Sequence, residues 1–337
     1  MTNTRLVRFA LMAFTTVLPL CASTHAFELT FKVVPLVPRS RIDAIAYLGN
    51  GVVIAGTRGT RPGYIHKSAD YGATWRPVSD VTGTDYITCL CAGTGGVGYL
   101  LTGKKVHVWK TTDYGETWTD LGQISQATNP QYANAYGMVV TSKGTLLVAD
   151  TDSNGGHLHR SMDEGTTWRD VGPVSTHALY RLVEVGDGLI VNGWAGHIYK
   201  STDDGASWKD AAKLMDSDLY AIEYLGRDTA LIGTKSGNIF LSIDNGTTWK
   251  DQGVVGASAD DFAWLGGNRV LYSTYTGDRN LFLSEDSGAS WNRVGEVGTG
   301  QPDDWLDHVI SIRDGDVRVV IGGTNKGFII YSPLPDE

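Results

Sequence analysis

The sequence predicts an all-β chain folded as a seven-bladed β-propeller, a ring of four-stranded sheets closed when the N-terminal strand joins the C-terminal blade. Three observations carry that expectation. A short motif returns six times at a near-constant interval, the same order of short strands stands around each copy, and each end of the chain holds an incomplete sheet.

Composition sets the frame. Of 337 residues, 42 are glycine and 10 are proline, while 42% are hydrophobic and 19% charged. That is ample for a packed core and too apolar for disorder. Glycine at this level without a Gly-X-Y period marks a chain that turns often, and frequent tight turns imply short strands. Lys and Arg number 28 against 37 Asp and Glu, a balance of −9. Nucleic-acid binding rests on clustered positive charge, so that partner class is excluded.

The motif occupies Ser68–Trp75, Thr111–Trp118, Ser161–Trp168, Ser201–Trp208, Ser242–Trp249 and Ser284–Trp291. Each copy reads Ser or Thr, any residue, Asp, any residue, Gly, any residue, Thr or Ser, then Trp. Its aspartates, Asp70, Asp113, Asp163, Asp203, Asp244 and Asp286, stand 43, 50, 40, 41 and 42 residues apart, the length of one four-stranded sheet per repeat. The chemistry of the motif is local. Aspartate accepts hydrogen bonds from turn N–H groups, glycine supplies a positive φ, and tryptophan carries apolar area between neighbouring sheets. A carboxylate committed to its own turn is a structural group rather than a catalytic acid or a calcium ligand.

Strands follow in order around each motif. In the fifth repeat they are Leu219–Tyr224, Ala230–Gly233, Asn238–Leu241 and a fourth beginning at Thr248. In the fourth repeat they are Leu179–Val185, Leu189–Asn192, His197–Lys200 and a fourth beginning at Ser207. A seventh unit lacks the motif and keeps three strands, Leu306–Ile312, Val317–Gly322 and Gly327–Tyr331. An unpartnered strand, Glu28–Val37, precedes the first repeat. Pairing the leading strand with the last three closes the ring and hides both sheet edges.

Residues 1–26 read as a secretory signal, with Arg5 and Arg8 at the start, an apolar stretch over Phe9–Leu20, and Thr24-His25-Ala26 at the cleavage site. The stretch is too short for the roughly 20 residues that span a bilayer, and no later segment reaches that length, so no transmembrane segment is expected. The mature chain then runs from Phe27 to residue 337 as a single propeller domain, secreted or periplasmic, with 26 basic and 37 acidic residues, a balance of −11. Cys21 leaves with the leader, and Leu20 before it is larger than a lipoprotein signal takes. Cys89 and Cys91 lie two apart in a strand-like run, where same-face side chains are about 6.5 to 7 Å apart, beyond disulfide reach. They are expected as free thiols.

The six motifs resemble the Asp-box, or bacterial neuraminidase repeat, of the sialidase-like propeller superfamily, and they cover Ser68 to Trp291. The resemblance implies the propeller fold. It leaves activity open, because that superfamily includes sialidases, other glycoside hydrolases, polysaccharide lyases, sortilin-type receptors and non-catalytic photosystem assembly factors. For a sialidase it implies Arg-Ile-Pro on the first innermost strand, two further arginines on the sugar carboxylate, a Tyr–Glu nucleophile pair and an Asp acid. Here Arg41-Ile42-Asp43 puts Asp in place of Pro, and Arg58 follows the second strand as a sialidase arginine does. No Asp or Glu lies between Arg58 and His66, and no later arginine pair or Tyr–Glu pair matches.

In a propeller the ligand sits over the channel, on the face opposite the aspartate turns. Residues expected there include Arg41, Asp43, Asp85, Tyr86, Asn134, Tyr136, His177, Tyr180, Asp218, Tyr220, Asp260, Asp261, Trp305, Asp307 and His308 from the starts of the innermost strands. The loops between second and third strands add Arg58, Arg61, Lys104, Lys105, Trp194, Lys235, Tyr275 and Arg279. Tyrosines, carboxylates and a few cations around one cavity suit a sugar, with rings for its C–H face and acids for its hydroxyls. Arg41 and Arg58 are the expected holders of an anionic group. Tyr136, Tyr180, Trp194 and Tyr220 are expected to contact the sugar. Asp43, Asp307 and His308 are the candidate proton-transfer groups. The structural alternative is that Tyr180 and Tyr220, which align with each other, pack between blades.

No motif requires a cofactor. Asp150, Asp152 and Asn154 alternate before Gly155 as oxygen ligands do in calcium loops, although Ser161 at the twelfth position excludes an EF-hand. Calcium is the one metal the sequence suggests, against a plain polar turn. The leading functional expectation is an exported protein that binds or processes a glycan or glycoconjugate. One alternative is a non-catalytic scaffold for another protein, since repeats of this length leave little chain for pocket-building loops. The other is a uronate polysaccharide lyase.

Overall fold

The computed structural model of the chain describes residues 29–335, apart from 38–39, 59–62, 79–84, 104–105, 126–133, 187, 276–278, 298 and 300–302. The leader expected over residues 1–26 lies outside the described residues, as do Arg61, Lys104 and Lys105. No helix among the described residues is long and apolar enough to cross a membrane.

Seven four-stranded antiparallel sheets form the propeller. Blade 1 spans residues 41–77, blade 2 87–123, blade 3 134–175, blade 4 179–213, blade 5 219–254 and blade 6 258–296. Blade 7 combines Leu306–Asp314, Val317–Thr324 and Phe328–Pro333 with Lys32–Pro35 as its outermost strand. The closure expected from the two loose ends is therefore present, with Lys32 opposite Tyr331 and Pro35 opposite Phe328. The closing strand is shorter than the Glu28–Val37 expected. Pro35 has no N–H to donate, and the next two N–H groups, of Leu36 and Val37, both turn onto the Gly327 carbonyl at 2.9 and 3.2 Å. An outermost strand is where a sheet tolerates proline.

The apolar residues form seven clusters among the described residues, one at each contact between adjacent blades. At the closure, Ile42, Ile45, Val53 and Ala55 of blade 1 meet Ile312, Val319, Ile321 and Ile329 of blade 7. Each sheet thus buries both faces against its neighbours, which is why the second strands read as continuous apolar runs rather than alternating ones.

The aspartate hairpins fasten this arrangement. In blade 4, Asp203 accepts the Ser201 hydroxyl at 2.7 Å, the Ser207 N–H at 2.9 Å and the Ser207 hydroxyl at 2.6 Å, while Gly205 N–H donates to Ser201 Oγ at 2.9 Å. The bond from the Ser207 hydroxyl leads the effects that hold the Asp203 carboxyl down at about 2. The same pattern recurs at the other five aspartates. Glycine was expected to supply the positive φ, and it shares that role with the residue before it. Tyr71 and Gly72, for example, have φ of 56° and 92°. The glycine also lets blades approach, since a Cβ on Gly72 would sit 2.5 Å from Ile321 Cδ1 of the preceding blade.

Fourth strands begin two residues later than expected, at Lys209 and Lys250. The carboxylate holds the Ser207 or Thr248 N–H, and the tryptophan indole donates back to the glycine carbonyl, so these residues belong to the turn. A further set of contacts crosses between blades on this face. Lys67 reaches Glu116 at 2.8 Å, Lys110 reaches Glu164 at 2.5 Å and Arg160 reaches Asp204 at 2.8 Å, each joining a third strand to the next blade's hairpin. Cys89 and Cys91 are free, and burial pushes both thiols up.

Candidate functional site at the channel mouth

The first strands of the seven blades surround the channel, and each breaks its ladder once near its start. The residues skipped by the register are Asp43, Thr88, Tyr136, Tyr180 with Arg181, Tyr220, Asp260 and Asp307. A bulged residue is released from pairing and its side chain can be re-aimed. Here all of them line one cavity of about 250 Å³ at the channel mouth, at the end of the ring away from the aspartate hairpins. The seven positions are not alike. Blades 6, 7 and 1 contribute Asp260, Asp307 and Asp43; blades 3, 4 and 5 contribute Tyr136, Tyr180 and Tyr220. The mouth therefore has a carboxylate arc facing a tyrosine arc, with Thr88 at one junction.

In the carboxylate arc, Arg41 bonds Asp307 with two nitrogens, Nη2 to Oδ1 at 2.6 Å and Nε to Oδ2 at 3.2 Å, and Nε also meets Asp43 Oδ1 at 3.1 Å. Arg58 Nη1 donates to Asp43 Oδ2 at 3.0 Å, and its guanidinium lies 5.1 Å from the centre of the Tyr136 ring. Trp305 Nε1 donates to Asp307 at 2.9 Å. Burial alone would lower the Arg41 pKa, and the charges of Asp307 and Asp43 raise it overall. Burial and the Asp43 charge push the Asp307 carboxyl up to about 7. Burial, then Asp307 and Asp261, push Asp260 well up. The arc holds more carboxylates than its two arginines neutralise, so burial and mutual repulsion favour the protonated form of Asp260 and Asp307, and Arg41 opposes this at Asp307.

In the tyrosine arc, the Tyr136 and Tyr180 rings are 5.9 Å apart and Tyr180 meets Tyr220 edge-on at 5.5 Å. The rings line the open mouth and also pack on one another across neighbouring blades. Trp194 stands just outside, 49% exposed, over a side groove shared with Tyr136 and Tyr180.

His308 is not brought to this cavity. The residues after the bulges of blades 2, 3, 4, 6 and 7 border a deeper cavity, where His308 Nδ1 lies 2.7 Å from Asp261 and Nε2 3.2 Å from the Ile45 carbonyl. Each of its ring nitrogens thus faces an acceptor. Arg181 and Glu223 border the same deeper cavity. Burial, with the Asp261 charge, pushes Glu223 up to about 8. A carboxyl raised on folding favours the folded state below its unfolded value of about 4.3, and that contribution is lost as pH rises through about 8. Glu223→Gln should therefore match the parent in thermal stability near pH 4 and exceed it near pH 8, as melting curves at both values would show.

Asp150 is buried against His159, with Oδ1 3.2 Å from Nε2, while Asp152 accepts the Asn154 N–H at 2.6 Å in a local turn. Asp150 thus faces His159, while Asp152 and Asn154 share one turn. No group of three or more His, Cys, Asp or Glu side chains among the described residues is arranged for a metal ion.

Reading the sequence by strand starts found the carboxylates and tyrosines and left out Thr88, Arg181 and Glu223. Registering the repeats on one another would have exposed Arg181, because Ala44, Cys89, Gly137 and Ala221 occupy its position in blades 1, 2, 3 and 5.

Fold and mouth together define a seven-bladed β-propeller with a polarised recess over its channel. No protein-family model matches the chain, and no curated protein matches it. Among solved structures it is similar to YCF48 bound to D1 peptide, with a TM-score of 0.70 and 15% identity over 91% of this chain and 97% of that one. It is similar to virginiamycin B lyase from Staphylococcus aureus, with a TM-score of 0.73 and 13% identity over 91% and 100%. A glycoside hydrolase of family GH74 from Niastella koreensis gives 0.63 and 17%, over 83% of this chain and 50% of that one. These likenesses show the fold, which serves both enzymes and a peptide-bound protein.

Proposed function

We propose that the protein is an exported glycan-binding propeller whose channel mouth takes a sugar ring between the tyrosine arc and the carboxylate arc. The observation that carries this reading is the polarity of the bulge ring. A pyranose offers a C–H face suited to aromatic rings and a rim of hydroxyls suited to carboxylates, and the mouth sets these two surfaces opposite each other. Its volume suits one or two ring-sized groups rather than a folded partner.

Binding is favoured over sialidase or uronate-lyase chemistry by the state of the charges. Arg41 and Arg58 already have carboxylate partners, so an anionic substituent would have to displace Asp307 or Asp43 to be clamped. His308 faces acceptors on both sides. A second reading, capture of a polypeptide segment, is favoured by one observation: the match to YCF48 bound to D1 peptide runs over nearly the whole of both chains, whereas the match to the glycoside hydrolase covers half of the enzyme.

Screening the purified protein on a glycan array and a peptide array separates the two. Sugar binding that disappears in the Tyr180→Ala/Tyr220→Ala double variant supports the proposal. Binding confined to peptides would replace it with the second reading, and release of product from a bound glycoside would make the protein an enzyme.

A further inference from the structure

Resting on the glycan reading above, we infer that the groove between blades 3 and 4 is a second sugar subsite, in which Trp194 stacks on the ring next to the one held in the mouth. The ligand class is then an oligosaccharide rather than a single sugar.

The starting observation is an exception in the repeat. After the second strand of a blade, one backbone N–H donates to a carbonyl ahead of the first strand. The donors are Gly103 in blade 2, Trp194 in blade 4, Lys235 in blade 5 and Asn325 in blade 7, at 2.9 to 3.2 Å. The fold asks only for that N–H, since a glycine, a lysine and an asparagine serve elsewhere. Blade 4 alone among these places a large aromatic ring there, and leaves it half exposed.

The backbone under Trp194 is also held firmly. Ala195 has a φ of 56°, a left-handed conformation that costs a non-glycine residue free energy, and its N–H faces Asp218 Oδ1 at 3.3 Å. Gly196, φ 78°, lies so near the Met215 carbonyl that no side chain fits there, and its own carbonyl accepts the Leu214 N–H at 2.9 Å. A rigidly presented, half-exposed indole loses little freedom when a ring settles on it.

The groove, of about 380 Å³, supplies what surrounds a stacked sugar. Asn134, Asp152 and His177 ring it with donors and acceptors for hydroxyls, and Tyr136 and Tyr180 form a wall that is also a wall of the mouth. The two cavities are thus adjoining, sharing Tyr136 and Tyr180, so that one glycan chain could reach from one to the other over their rims.

The test is calorimetric titration with glucose and N-acetylglucosamine oligomers of one to four residues, using the parent, Trp194→Ala and Trp194→Phe. The parent should bind oligomers more tightly than monomers. Trp194→Ala should lose that gain, roughly three- to tenfold, with monomer affinity unchanged, and Trp194→Phe should keep part of it. A chain-length gain that survives Trp194→Ala overturns the groove while leaving the mouth intact, and so does an equal loss for monomer and oligomer. No binding of any sugar by the parent, or weakened binding of peptides alone, overturns both readings.

Discussion

A chain beginning at Val37, which lacks the closing strand, should lose most of its stability and self-associate. Lys32–Pro35 pairs with Phe328–Pro333, and Phe31, Val33, Val34 and Leu36 pack onto the clusters on either side of blade 7. Removing several half-buried apolar side chains and a row of ladder bonds should cost roughly 5 kcal/mol, a large share of a typical folding free energy. The cut also bares the Phe328–Pro333 edge, a template for pairing with another chain. Denaturant titration should show a lower midpoint, and light scattering should show growth in size with concentration. An unchanged midpoint would mean that the ring is held without the strand.

Arg41→Ala should be nearly as damaging, because it leaves Asp307 buried beside Asp43 without the guanidinium that joins them. Breaking one partner out of such a pair costs about 3 kcal/mol, since the surviving charge has no solvent to replace its partner. The loss should deepen as pH rises above about 7, where Asp307 would otherwise be ionised. Adding Asp307→Asn should restore much of the stability, and chemical unfolding of the two single variants and the double variant measures the coupling directly.

The blades were legible because the hairpin chemistry is local. Ser201, Asp203, Gly205, Ser207 and Trp208 make their bonds within eight residues, so their order alone announces the turn. The closing strand was legible for a different reason, as the remainder left when six complete repeats were subtracted. Its true length was not, because Pro35 and the turn onto Gly327 end the ladder through contacts with residues about 290 positions away.

The mouth was half legible. Asp43, Asp307, Tyr136, Tyr180 and Tyr220 could be placed by counting from strand starts. The direction in which neighbouring residues point depends on bulges, which shift the register by one: Asp307 faces the mouth and His308 the tier below. The pairing of Arg41 with Asp307 joins the first and last blades and leaves no trace in either segment alone.

The account divides the molecule into hairpins that hold the ring and a mouth that recognises a ligand. The most direct test measures affinity and stability together, for the strongest sugar from the array, in Tyr220→Ala and Asp203→Ala. Tyr220→Ala should lower affinity at least about tenfold while the unfolding free energy stays within about 1 kcal/mol of the parent. Asp203→Ala should lower the unfolding free energy by about 2 to 3 kcal/mol and leave the affinity of the folded protein unchanged. Loss of binding on removing Asp203, with stability intact, would contradict the division at its root.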